Sequence, residues 1–204
     1  MTIIQDLNVY DLEKTLIASG YAMVEDYSEE MLQNELKTLS EDLTNNKHYK
    51  RALKLTKAAL NSGHPNFLSG ILVSMDVTFT NKVWVEWQRY HFQQIDSSMS
   101  TMHRLKKMSQ LGTIRFHEKT DKRAIELIDK LIEEGADDET IIYSCPGGLE
   151  LTARVNTNYL QLRTIYIQRK YHKLEEWHDF CDWIEILPYS KQFITLGAGN
   201  ESSN

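Results

Sequence analysis

The chain has 204 residues, 41% of them hydrophobic and 25% charged, a balance typical of a globular protein with enough apolar residues for one substantial core. Its 23 Lys and Arg are dispersed among 29 Asp and Glu for a net charge of −6, which excludes a sequence-independent nucleic-acid binder, because counterion release needs a basic surface. Cys145 and Cys181 form no C-x-x-C pair, residues 1–9 carry no basic leader, and no long apolar run occurs, so the expectation is a cytoplasmic protein with neither disulfide scaffold nor membrane span.

In chain order, Ser28 is placed as an N-cap, and Leu32, Leu36, Leu39 and Leu43 recur on one face, which predicts a helix over 29–44. Leu53, Leu55, Ala59 and Leu60 with lysines between them predict a second helix over 51–61, stopped by Gly63. After Pro65 the period becomes two. Ile71, Val73, Met75, Val77 and Phe79 alternate with Leu72, Ser74, Asp76 and Thr78, as in a strand ending near Thr80. Asn81 then caps a short helix on which Val83, Trp84 and Trp87 share a face, and this helix delivers Glu86 and Arg89 to its C-terminal end.

Residues 93–120 show no period and are rich in Ser, Thr, Lys and His, which reads as a long functional connection. Asp121 caps a helix bearing Ala124, Leu127, Ile128, Leu131 and Ile132, closed by Gly135, and Asp138 opens a short turn towards Cys145-Pro146-Gly147-Gly148. Residues 149–155 read as a strand and 156–169 as a helix with Tyr159, Leu162, Ile165 and Tyr166 on its stripe. A last helix from His172 buries Leu174, Trp177, Cys181 and Ile184 and ends near Pro188. The small, polar stretch 197–204 reads as a disordered tail, which leaves 1–196 as a single domain of α/β (α+β) class with a central sheet flanked by helices.

Taken singly, most of the reactive residues have structural explanations. Trp84 and Trp87 are core aromatics by spacing. His172, Glu175, Glu176 and His178 do not share one helix face and read as a solvated charged surface, so no metal is expected. Gly147-Gly148 lacks the Lys-Ser/Thr of a phosphate cradle, and neither cysteine has an adjacent base.

Two segments carry more when read together: Glu86-Trp87-Gln88-Arg89-Tyr90-His91, and Asn158 with Arg169 eleven residues later. Together they resemble the flavin-dependent thymidylate synthases. In that family an Arg-His-Arg-x-x-Ser-x-Asn-x-x-Ser-x-Arg signature follows a Gln-Trp-x step, and an Asn-x-Arg helix carries a second arginine further along. Trp87 and Arg89 fall on the family tryptophan and first signature arginine, and Glu86 on its glutamine. With Pro146 on the family proline, Asn158 falls on a flavin-contacting asparagine and Arg169 on the substrate-activating arginine. His64, beside Pro65, falls on a flavin-contacting histidine.

The departures are as specific. Tyr90 and His91 stand where the family has His and Arg, Gln94 replaces the first serine, and Asp96 the asparagine. In a gapless register Met99 and Thr101 replace the second serine and last arginine; with one residue inserted, Ser100 recovers the serine and Arg104 lies close behind. Both registers remain open at this point. Leu160 replaces the arginine of Asn-x-Arg, Thr164 a second asparagine, and Thr152 a nucleotide-binding arginine, with Arg154 two residues away.

The resemblance implies FAD as cofactor, held by His64, Tyr90, His91, Gln94, Asn158 and Thr164. It implies a nucleotide bound by Glu86, Arg89, Ser97, Ser98, Ser100, Thr101 and Arg104, with Arg169 as the catalytic group polarising the pyrimidine. NADPH and methylenetetrahydrofolate would be co-substrates, dUMP would become dTMP, and the protein would be a homotetramer. The alternatives are a homologue acting on another pyrimidine nucleotide, such as dCMP, or by hydroxymethyl transfer, since Asp96 replaces an amide by an acceptor; or a binding or assembly protein that kept the fold and lost the signature.

Overall fold

In the computed structural model, which describes residues 2–25, 27–102 and 104–196, the chain forms β1 (Ile3–Tyr10), α1 (Leu12–Ala18), α2 (Glu29–Glu41), α3 (Lys47–Thr56), β2 (Leu72–Thr80), α4 (Asn81–Trp87), β3 (Gln94–Ser98), α5 (Leu105–Gln110), α6 (Lys122–Glu133), α7 (Asp138–Ser144), β4 (Glu150–Asn158), α8 (Tyr159–Arg169), α9 (Glu175–Glu185) and α10 (Ser190–Phe193). The strands make one sheet in the order β1-β2-β4-β3, so the fold is the mixed α/β class expected. The 197–204 tail lies outside the described residues. Two compact units are distinguished, one from Met1–Asp6 and Met75–Val155, the other from Leu7–Ser74 and Asn156–Asn204, and β1, β2 and β4 each contribute residues to both.

Strand β2 forms where the two-residue alternation predicts it. Ile71, Val73, Met75, Val77 and Phe79 are all buried, and Leu72 on the opposite side is exposed. The Tyr159 N–H donates to the Ile71 carbonyl at 3.1 Å and the Asn81 N–H to the Leu149 carbonyl at 2.8 Å, which makes β2 and β4 antiparallel. In this register Thr78 lies opposite Thr152, with their hydroxyls 2.7 Å apart, and Asp76 opposite Arg154.

In the first unit, Phe79, Trp84, Trp87 and Tyr90 pack edge-on or tilted with ring centres 5.2–6.4 Å apart. The Trp84 indole donates to the Leu151 carbonyl at 2.9 Å, which fixes α4 on the strand. A second cluster, Leu105, Ile128, Ile141 and Leu149, joins α5, α6 and α7 to the start of β4. Asp121 caps α6 as expected, its carboxylate accepting from the Arg123 N–H, and Gly135 follows with φ 76°, a left-handed stop that disfavours a side chain.

In the second unit, α8 packs against α9 and against a 3₁₀ helix, His64–Gly70. Tyr159, Leu162, Ile165, Trp177, Phe180, Cys181 and Ile184 supply the buried layer. Burial pushes the Cys181 thiol up to about 12 and raises that of Cys145, so both remain protonated near neutrality and serve as small apolar residues.

Several boundaries differ from the sequence reading for local reasons. The helix expected over 51–61 begins at Lys47, because the Asn46 carboxamide caps it through the His48 N–H at 2.8 Å, and ends at Thr56; a separate 3₁₀ turn, Leu60–Ser62, precedes Gly63. Thr80, not Asn81, caps α4, while α7 starts at Asp138 as expected, with Asp137 as its cap. Strand β4 continues to Asn158, which caps α8, so the helix starts at Tyr159. The last long helix starts at Glu175. The stretch without a period contains β3 and α5, which are too short to display one. Strand β1 and helix α1 had no counterpart in the expected elements. No helix among the described residues is long and apolar enough to cross a membrane.

Candidate functional site

The residues singled out by the sequence divide between the two units. Glu86, Arg89, Tyr90, His91, Gln94, Ser97, Ser98, Ser100, Thr101 and Arg104 belong to the first, and His64, Asn158, Thr164 and Arg169 to the second.

In the first unit the turn after α4 is held by one side chain. The Gln93 carboxamide accepts from the Trp87 indole N–H at 2.7 Å and donates to the Tyr90 carbonyl at 3.3 Å, which uses both ends of the amide. That clamp turns Tyr90 inward, where it is buried against Trp87, and leaves Arg89 and His91 exposed. Neither of those two side chains bonds another described residue. Glu86 is partly covered and is paired with Lys82 at 3.1 Å, one helical turn earlier. Gln94, Ser97 and Ser98 lie on β3, an edge strand of the sheet, and Ser100 follows it; all four are exposed.

Thr101 and Arg104 line one cavity of about 310 Å³, together with Lys106, Lys107, Gln110 and Asp138 over an apolar floor that includes Leu105 and Ile141. Among its described lining residues three cations face one acid, and Lys106 engages that acid, Asp138, at 3.0 Å. Arg104 and Lys107 leave the cavity with an excess of positive charge, and the Thr101 hydroxyl adds a donor, a lining that favours an anion. Lys106 and Lys107 were missed in the sequence because nothing in their spacing sets them apart from surface lysines.

In the second unit Asn158 is the N-cap of α8: its side-chain oxygen accepts from the Gln161 N–H at 2.9 Å, while its amide hydrogens bond no described residue. Thr164 turns its hydroxyl back onto the Leu160 carbonyl at 3.2 Å, the local bond common for threonine inside helices. His64 is exposed at the start of the 3₁₀ helix that packs on α8. Arg169, in the last turn of α8, is buried at 8% exposure, with its guanidinium 4.6 Å from the centre of the Trp177 ring. The face expected to be solvated is partly folded inward. Glu176 is buried, and the His178 Nε2 lies 2.5 Å from the His172 carbonyl.

Arg154, noted only as a near neighbour of Thr152, is the centre of a charge cluster. One of its nitrogens donates to the Asp6 carboxylate at 2.8 Å, to the Asp6 carbonyl at 3.3 Å and to Asp76 at 3.1 Å. Asp6 adopts φ 47°, a left-handed conformation rare for a residue with a side chain, and this bond supports it. Arg154 is thereby committed to the fold of its unit and does not stand in for an arginine at position 152.

No protein-family model and no curated protein sequence matches the chain. Solved structures do. Thymidylate Synthase X from Helicobacter pylori, crystallised with FAD and dUMP, matches with a TM-score of 0.66 at 12% identity, over 97% of this chain and 97% of that one. A second structure of the flavin-dependent thymidylate synthase from the same organism, complexed with FAD and dUMP, matches with a TM-score of 0.62 at 13% identity, over 95% and 96% of the two chains. At these identities the likeness is one of fold, and it runs nearly end to end in both chains.

Proposed function

We propose that the protein is an FAD-dependent enzyme acting in the cytoplasm that methylates C5 of a pyrimidine deoxynucleotide, converting dUMP to dTMP with methylenetetrahydrofolate and NADPH. The observation that carries this reading is the end-to-end fold likeness to an enzyme solved with FAD and dUMP. Towards the cofactor the first unit offers the unengaged side chains of His91 and Gln94, and the second unit His64 and the amide hydrogens of Asn158. Tyr90 is packed against Trp87, and the Thr164 hydroxyl donates to the Leu160 carbonyl, which leaves Thr164 its acceptor capacity for the cofactor.

When bound, FAD supplies the one-carbon carrier and hydride chemistry. The chain itself binds, orients and polarises. Arg104 and Lys107, with the Thr101 hydroxyl, neutralise the nucleotide phosphate in their cavity, and Ser97, Ser98 and Ser100 supply further hydroxyls nearby in sequence. Involvement of Arg104 corresponds to the register with one inserted residue. Glu86 and Arg89 contact the nucleotide, and Arg169 stabilises charge developing on the pyrimidine during attack.

The proposal includes a single catalytic domain over 1–196 and a homotetramer in which subunits share sites. Phe92 and Met102, on either side of edge strand β3, are 67% and 62% exposed, which suits burial against another copy. Light scattering showing a stable monomer would remove that part.

The test is optical and chemical. Purified protein should be yellow or become so with FAD, the spectrum should bleach with NADPH, and dUMP with methylenetetrahydrofolate should yield dTMP. Colourless protein that cannot be loaded with FAD would leave a non-catalytic binding protein of this fold. Calorimetric titration of flavin-loaded protein with dUMP and dCMP separates the two pyrimidines, and preference for dCMP would point to Asp96 on exposed β3 as the discriminating acceptor.

A further inference from the structure

A second cavity, of about 420 Å³, lies in the first unit over the polar side of the β2–β4 pair. Its size is within the range of roughly 300–1,000 Å³ typical of small-molecule sites. Two of its lining residues, Arg115 and Glu150, are direct cross-strand neighbours. The Glu150 N–H donates to the Arg115 carbonyl at 2.9 Å, and the adjacent residues Phe116 and Leu149 form an antiparallel bridge. Opposite charges so placed commonly pair, yet neither side chain is bonded to any described residue.

The rest of the cavity is mixed in a specific way. The Thr78 and Thr152 hydroxyls, 2.7 Å apart, satisfy each other once, which leaves one hydroxyl hydrogen and lone pairs facing a guest. Ile3 and Met99 add apolar walls, and Met99 is tethered to β4, its N–H donating to the Thr152 carbonyl at 2.9 Å while its sulfur accepts from the Thr152 N–H at 3.4 Å. A free phosphate would be repelled by Glu150, a simple cation by Arg115, and a hydrocarbon would strip water from both charges without replacing it.

We infer that this cavity binds a planar, uncharged heterocycle whose edge carries adjacent N–H donors beside a carbonyl, as in guanine. The Glu150 carboxylate accepts from the ring N–H and exocyclic amine, Arg115 donates to the carbonyl oxygen, and Ile3 and Met99 cover the ring faces. The inference does not rest on the activity proposed above.

The experiment is NMR on the full chain with methyl-labelled Ile, Met and Thr, titrated with guanosine and, separately, with inorganic phosphate. Saturable shifts of the Ile3, Met99, Thr78 and Thr152 methyls with guanosine, and none with phosphate, are expected. Glu150→Gln and Arg115→Met, each with parental circular dichroism and melting temperature, should weaken the affinity about tenfold or more, the usual consequence of losing one partner of a charge-assisted hydrogen bond. Absence of saturable shifts, equal shifts with phosphate, or parental affinity in both variants would overturn the assignment. Shifts confined to residues outside the cavity would do the same.

Discussion

The Arg169 guanidinium sits over the Trp177 ring, 4.6 Å from its centre, with the tryptophan fully buried and the arginine nearly so. A cation held against an indole away from water is worth about 2 kcal/mol, and the ring also limits the directions in which the guanidinium can point. On the proposed chemistry, Arg169→Ala should lower kcat by about 10²–10³-fold, the usual effect of losing one donor to developing charge, while FAD still binds. Dihydrofolate-independent measurement of dTMP formation and a flavin titration check both halves, and parental turnover would remove Arg169 from the mechanism.

Trp177 has a structural consequence separate from that activity. Its replacement by Ala should cost about 3–5 kcal/mol of stability, since it is fully buried among Phe180 and its neighbours in the second unit. Trp177→Phe should cost clearly less because it retains an apolar ring there. Urea unfolding of the two variants gives the comparison.

Nucleotide affinity should follow the charge of the Arg104 cavity. Arg104→Ala should weaken dUMP binding by roughly tenfold or more. Asp138→Asn removes the only acid among the described residues lining that cavity and releases Lys106, so it should strengthen binding. Calorimetry at two salt concentrations is the measurement, and an unchanged affinity in both variants would place the phosphate elsewhere.

Acid stability should depend on Glu35. Lys47 at 2.5 Å and His48 at 2.8 Å hold its carboxyl below the usual glutamate value. Arg51 bonds the other nitrogen of His48 at 2.7 Å, and because Arg can only donate, that imidazole presents its N–H to Glu35. A carboxylate whose folded pKa is depressed contributes stability that is complete above the unfolded value of about 4.3 and is lost as pH falls through the lower folded value. Melting temperatures from pH 7 to pH 3 should therefore fall less steeply for Glu35→Gln than for the parent.

Gly20→Ala should destabilise the second unit by about 1–3 kcal/mol. A Cβ built at Gly20 would lie 2.1 Å from the Arg51 Cζ, so the guanidinium would have to leave the Ile17 carbonyl, which it bonds at 3.1 Å, and the Ser19 hydroxyl at 3.3 Å. A lowered urea midpoint is expected, and an additional Arg51→Ala change should cost little more in the Gly20→Ala background.

Much of this protein was legible locally. The alternation of Ile71 to Phe79, the Asp121 cap with its Gly135 stop, and the apolar stripe of α8 follow from side-chain period and backbone propensity, interactions that reach only a few residues along the chain. The same spacing arguments put Arg169 at the end of that helix, whereas its start at Tyr159, with Asn158 as the cap, lies later than the spacing predicts. Tertiary structure decided what those side chains do. Tyr90 turned inward because Gln93 closes its turn onto Trp87, and Thr164 turned back onto its own helix. Arg154 found Asp6 across 148 residues of chain, and Thr78 found Thr152 across 74. Strand pairing sets such partners, and a sequence pattern records which face a residue occupies without recording which strand will lie beside it.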